Sequence, residues 1–405
     1  MHILIGVIGI GVFLALAFIG SSDKKGIRWK YIGIMFVIQL ILAYALLKTK
    51  IGITIVGGIA TGFGYLLKQA GVGIDFVFGG LVNNGQMSFF LSVLLPIVFI
   101  SALIGILQYT KILPLIINIL GFLISKINGM GRLESYNAVA AAILGQSEVF
   151  ISLKKQLPYI TKQRLYTLTA SAMSTVSASI IGAYFTLVQP KYVVTAVVLN
   201  LLGGFIIASI INPYKVDEEE DKLLLEEEKK KQSFFEMLGE YILDGFKVAV
   251  IVGAMLIGYI ALISLLNGLV GGLISLISGG ALDWNFQTLI GFIFAPLAFL
   301  TGIPWSDAVE AGSIMATKLL SNEFVAMTEL GKASGLSERS LGIVSVFLVS
   351  FANFSSIGII SGAIKSLNDE KGDMVARFGL KLLFGATLVS FVSAAIARLF
   401  LVSCI

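Results

Sequence analysis

The chain has 405 residues, 57% of them hydrophobic and 13% charged, with a mean hydropathy of +0.94. A soluble domain carries about 25% charged residues, so a soluble enzyme is excluded, and at about 20 residues per crossing the length suits about eight to ten membrane spans. One cysteine, Cys404, and one histidine, His2, exclude an internal disulfide, a His- or Cys-built metal centre and a Ser-His-Asp triad.

No metal or cofactor is expected. The net charge of +5 fits cytoplasmic loops rich in Lys and Arg, and no nucleic-acid partner is expected. Residues 1–20 lack a basic leading region and a cleavage site, so they read as a retained first helix and not a signal peptide.

In chain order, spans are expected at 3–20 and 31–47, joined by a loop holding Lys24, Lys25, Arg28 and Lys30. Residues 51–70 are Gly-punctuated and weakly amphipathic, which suits a short helix lying at the interface. A span at 88–109 follows, then a second interfacial helix at 113–127. The segment 131–160 is too polar to cross but long enough to enter and return. Spans at 164–189 and 192–212 close a first unit. The linker 213–235 holds Asp217 to Asp221 and Glu226 to Lys231, a cytoplasmic connector.

Beyond the linker come a span at 245–268, an apolar segment at 287–303, a polar hairpin at 304–336, and spans at 341–364 and 378–402. The expected fold is therefore an all-α polytopic membrane protein. It has eight transmembrane helices, two re-entrant hairpins and interfacial helices. Its parts are 1–87 (N-terminal helices and interfacial segment), 88–212, 213–235 and 236–405. The basic loops place Lys111, Lys126, Arg132, Lys154, Lys155, Lys162 and Arg164 inside, with Lys365, Lys371 and Arg377. The opposite loops hold Lys191 alone and, across 269–286, only Asp283. Both termini then lie outside, and the two hairpins enter from opposite faces. The lipid bilayer is the medium, and an inverted repeat of this kind is the plan of many secondary transporters, with a site near the midplane.

Each hairpin carries a carboxylate beside an amide: Gly145-Gln146-Ser147-Glu148 in the first, Ser321-Asn322-Glu323-Phe324 in the second. An ionised residue at membrane depth costs about 2.5 kcal/mol or more, so corresponding glutamates in two repeats mark a binding site. The next span of each unit holds a polar run, Ser174-Thr175-Val176-Ser177-Ala178-Ser179 and Phe351-Ala352-Asn353-Phe354-Ser355-Ser356. Such runs give the backbone other partners and favour an unwound stretch lining a polar cavity. Asn353 and Ser356, three apart, share a helix face. Carboxylates, amides and hydroxyls together suit a neutral solute rich in hydroxyls and ring nitrogens. No pair of cations awaits a phosphate: Lys318 is the one basic residue near the second tip.

The run Ala316-Thr317-Lys318-Leu319-Leu320-Ser321-Asn322-Glu323-Phe324-Val325-Ala326-Met327 resembles the signature of the concentrative nucleoside transporters. The G-Q-S-E tip and the F-A-N-x-S-S segment match that family in order and spacing, and the resemblance runs over the whole chain. It implies a homotrimer whose protomers carry a scaffold and a moving transport domain. It implies that Gly145, Gln146, Ser147, Glu148 and Ile180 read the nucleobase. Glu323, Asn353 and Ser356 would read the ribose, and Phe351 would contact the substrate with its ring. The expected function is nucleoside import across the bacterial cytoplasmic membrane by alternating access.

One position departs from the sodium-driven members. They hold the ion partly with an Asn side chain four residues before the tip glycine, and here that residue is Ala141. Ser147 and Thr175 could supply hydroxyls, but a hard cation needs a shell of oxygens. The resemblance is nearest to the bacterial subgroup thought to be proton-driven, so protons are the expected partner, with Glu148 and Glu323 the candidate carriers. A sodium-coupled symporter, a passive nucleoside channel and an intramembrane hydrolase are the alternatives. The lack of a usable His or Cys, with only His2 and Cys404 in the sequence, argues against the last.

Overall fold

The computed structural model describes residues 2–79, 88–154, 156–216, 232–282 and 284–401, with backbone alone at 2 and 3. Lys155, Asp283, Cys404 and the charged linker residues 217–231 lie outside them. The described residues form helices and no strand. They are α1 (His2–Ile19), α2 (Trp29–Lys48), α3 (Lys50–Phe78), α4 (Pro96–Tyr109), α5 (Ile112–Asn128), α6 (Arg132–Leu144), α7 (Val149–Ser152), α8 (Lys162–Ser174) and α9 (Ala178–Leu187). Then come α10 (Pro190–Ile211), α11 (Phe234–Ser278), α12 (Phe286–Leu300), α13 (Trp305–Leu320), α14 (Glu323–Leu330), α15 (Glu338–Leu348), α16 (Phe354–Lys365) and α17 (Asp369–Phe400). A π-helical turn, Phe90–Leu94, leads into α4.

Among the described residues, seven helical segments are long and apolar enough to cross a membrane, or eight if α12 and α13, bent by 115°, count as one. The membership differs from the expected eight. Residues 51–70 are part of the 29-residue α3, which is long enough to span. Its apolar pattern continues past Lys68 through Val72, Ile74 and Phe76, and nothing stops it before Gly79, at φ 54°. The expected crossing at 341–364 is two half-helices, α15 and α16, separated by an extended break at 349–353. The segment expected at 3–20 is α1, an apolar helix of 18 residues. The span expected at 245–268 is the middle of α11, which runs 45 residues, about 68 Å at 1.5 Å per residue. A capping box between Ser233 and Glu236 starts α11, and Gly279 in the left-handed region ends it.

Helix pairs α6–α7 and α13–α14 occupy the two segments expected as hairpins. The base of each is fastened to the start of the following helix. Arg164 on α8 makes a two-pronged ion pair with Glu134 on α6, at 2.6 and 2.9 Å. Asp307 on α13 accepts from Ser337 N–H at 3.1 Å, and from the Ser337 and Ser340 hydroxyls at 2.9 and 2.6 Å. Both fastenings join residues 30 apart in sequence. Tyr214, at the start of the linker, donates to Glu134 Oε1 at 3.1 Å. Burial, and then the Glu134 charge, hold its hydroxyl well above the ordinary tyrosine range, so it stays a donor.

Small residues set the close crossings. A Cβ on Gly312 of α13 would come within 2.8 Å of Gly291 O on α12, so the two backbones touch where side chains would hold them apart. Gln39 of α2 is wholly buried and donates to Leu199 O of α10 at 2.8 Å, tying an outer helix to the core.

Candidate functional site

Two helices break side by side. At the first break, Ser174 Oγ donates to Ala170 O at 2.7 Å and Thr175 Oγ1 to Ser171 O at 3.1 Å, so α8 terminates on its own hydroxyls. At the second, Asn353 is extended (φ −149°) and accepts from Ser356 N–H at 2.9 Å, starting α16. The breaks are joined directly, because Phe351 N–H donates to Thr175 O at 3.1 Å. The first falls inside the polar run where unwinding was expected; the second, at 349–353, overlaps its run only at Phe351 to Asn353, because Phe354 already starts α16.

The hairpin tips close on the breaks. Gly145 has φ 118°, a conformation that favours glycine, and a Cβ there would lie 2.6 Å from Glu148 Oε2 and 3.3 Å from Ser177 Cβ. Ser147 Oγ donates to Glu148 Oε2 at 3.2 Å. At the second tip, Asn322 Oδ1 accepts from Val325 N–H at 3.0 Å and starts α14. Glu323, the first residue of α14, is buried. Its Oε1 accepts from the Tyr184 hydroxyl at 2.9 Å and its Oε2 from the Asn353 amide at 3.2 Å. Glu323 on α14 is thus held by Tyr184 on α9, 139 residues earlier in the chain.

Gly145, Gln146, Ser147, Glu148, Ile180, Glu323, Phe351, Asn353 and Ser356 all line one cavity of about 480 Å³. Ligand pockets run from about 300 to 1,000 Å³. Gln146 Oε1 and Ser356 Oγ are buried without a partner in the protein, so each has hydrogen-bonding capacity left for a solute. Ile180 and Phe351 supply apolar surface for a planar ring.

Sequence reasoning missed the opposite wall and one inner contact. Asp244, Lys247, Val248, Ile251 and Met255 of α11 face the cavity. Asp244 and Lys247 sit at the edge of an apolar run, where charge reads as a cytoplasmic flank; their spacing of three was the available signal. Tyr184 lies four residues after Ile180, on the same helix face, and reads as a core aromatic. Lys318 is wholly buried and does not line the cavity.

For a cation, the donor set beside the first tip is thin. Ala141 is buried, with no side-chain oxygen, and its carbonyl accepts from Gly145 N–H at 3.0 Å. Thr175 Oγ1 donates back to Ser171 O and Ala172 O. Among the described residues no three His, Cys, Asp or Glu side chains gather as metal ligands.

Family models match along the chain: Na+ dependent nucleoside transporter N-terminus at residues 8–81, a gate described as nucleoside recognition at 90–191, and Na+ dependent nucleoside transporter C-terminus at 192–398. The purine nucleoside transport protein NupG of Bacillus subtilis (strain 168) is 37% identical over 402 residues, covering 99% of this chain and all of that protein. The nucleoside permease NupC of Helicobacter pylori is 32% identical over 412 residues, covering 98% of each. CNTnw, solved in an inward-facing substrate-bound state, superposes with a TM-score of 0.91 at 30% identity, over 99% of this chain and 98% of that one. A CNTnw variant in an outward-facing state gives 0.93 at 30% identity, over the same shares.

Proposed function

This chain belongs to the concentrative nucleoside transporter family, and we propose that it imports nucleosides across the bacterial cytoplasmic membrane by proton symport. It is a multi-pass membrane transporter and not an enzyme. The observation that carries the substrate reading is the single cavity shared by all nine residues of the two tips and two breaks. Glu323, held by Tyr184 and Asn353, accepts from vicinal sugar hydroxyls, and Asn353 and Ser356 complete the ribose end. Gln146, Ser147 and Glu148, with the backbone of Gly145 and the side chain of Ile180, take the nucleobase, and Phe351 packs on the substrate. The hairpins form an inverted repeat about a midplane site, the transport domain alternates between faces, and three copies assemble. Both termini lie outside.

Protons are favoured by Ala141, which offers no side-chain oxygen to a sodium shell. A proton needs one titratable group. Both oxygens of Glu323 accept hydrogen bonds from fixed donors, which suits a permanent acceptor for sugar. Glu148 accepts one side-chain hydrogen bond, from Ser147, and shares the cavity with Asp244 and Lys247, so it is the better proton carrier. Sodium coupling is the second reading, favoured by the description of the matching family models.

Uptake of labelled nucleoside into proteoliposomes tests both readings. Likeness to a purine nucleoside transport protein puts adenosine beside uridine in the assay. Accumulation should collapse with a protonophore, rise as external pH falls, and ignore replacement of sodium by choline. Sodium-stimulated accumulation that survives a protonophore refutes proton coupling. Equilibration without accumulation under any gradient makes the protein a passive channel.

A further inference from the structure

Lys318 is the one charged residue of the signature run, besides Glu323, and the transport reading leaves it without work. It lies on α13 three residues before the tip, fully buried. Its Nζ donates to Phe347 O at 2.6 Å, Ser350 Oγ at 2.6 Å and Ser390 Oγ at 3.2 Å, and it sits 4.6 Å from the Phe347 ring centroid. Those bonds use all three donors of an ammonium. None of the three partners is a carboxylate. The Glu323 carboxylate acts on it electrostatically without bonding to it, and a buried charge whose hydrogen-bond partners are all neutral is costly, so an apolar residue here would pack at less cost.

The place it occupies accounts for that cost. Phe347 lies at the C-terminal, negative end of α15, and the last residues Val346, Phe347, Leu348 and Val349 carry no hydroxyl. The matching end of α8 terminates on its own Ser174 and Thr175. The second break needs a donor from a neighbouring helix, and Lys318 brings it. Two other groups fasten the same stretch: Asn200 Nδ2 donates to Val349 O at 2.6 Å, and Phe351 N–H to Thr175 O at 3.1 Å. Asn353, whose amide meets Glu323, follows Ser350 by three residues.

The geometry points to Lys318 as a positioning residue for sugar recognition. Its ammonium fixes the α15–α16 break against α13 and α17, and thereby aims Asn353 and Phe351 into the cavity. This rests on Glu323 and Asn353 being the ribose end, so the test carries a control for that assignment.

Uridine and its 3′-deoxy analogue are titrated into purified wild-type protein and the Glu323→Gln, Lys318→Met and Ser350→Ala variants, with melting temperature measured beside each. Glu323→Gln should erase the preference for the 3′ hydroxyl. Lys318→Met should weaken uridine binding by about tenfold and the deoxy analogue by less than about threefold, because a hydrogen bond that is no longer aimed costs most for the ligand that makes it. Ser350→Ala keeps the charge, removes one acceptor, and should show the same pattern at smaller size; it decides the matter if Lys318→Met does not fold. A lysine that only supports folding would lower the melting temperature and leave the preference between the two ligands unchanged, and that result overturns the proposal. A preference unchanged in Glu323→Gln instead overturns the ribose assignment itself.

Discussion

Tyr184→Phe isolates one hydrogen bond at the centre of the site. The ring is fully buried and packs edge-on to Phe324 with centroids 5.1 Å apart, so phenylalanine fills the same space. What is lost is the hydroxyl 2.9 Å from Glu323 Oε1. A hydrogen bond to a charged group contributes about 1.5–3 kcal/mol, and 1.4 kcal/mol is about tenfold in an equilibrium constant. The remaining donor, the Asn353 amide, is longer at 3.2 Å and holds only the other oxygen. The carboxylate is then free to turn about that contact. We expect nucleoside affinity to fall by about tenfold, the lower end of that range, with the rest appearing as a lower melting temperature. Titration calorimetry and a thermal shift assay on the same preparation separate the two. Affinity and melting temperature both equal to wild type would refute the reasoning, because a buried acceptor cannot lose its donor without effect on either.

Two further outcomes follow from the same contacts. Glu148→Gln should abolish uphill accumulation under a proton gradient while counterflow exchange of nucleoside across the membrane persists; retained accumulation would move the proton elsewhere. Glu134→Gln should destabilise the protein by about 3–5 kcal/mol, the cost of leaving a buried charge half-paired, read as a large drop in melting temperature. An unchanged value would mean that Arg164 and Tyr214 find other partners.

The parts legible in the sequence were those where polarity stands out against an apolar background. Gly145 to Glu148, Ser321 to Phe324 and the two hydroxyl runs interrupt helix formers, and the chain turns or unwinds at each. Helix lengths were less legible. Gly71, Gly73, Gly271 and Gly272 punctuate 71–78 and 269–278 and read as loop, but both stretches are otherwise mostly apolar, and α3 and α11 continue through them because no proline or cap intervenes. Charge was legible as presence but not as direction. Lys318 and Glu323 lie five residues apart, yet one packs into the protein between α15 and α17 while the other meets the cavity. Tyr184 was hidden because a buried aromatic beside Phe185 looks like packing, and only the fold brings its hydroxyl to a carboxylate 139 residues away.

We propose that this cavity is the nucleoside site, with its sugar end at Glu323. Titration of uridine and adenosine into purified Glu323→Gln protein addresses it most directly. The substitution keeps the size of the side chain and removes the charge proposed to accept from the ribose hydroxyls. We expect at least about a tenfold loss of affinity for both nucleosides, with unchanged membrane insertion and yield. Binding and transport of both at wild-type levels would contradict it.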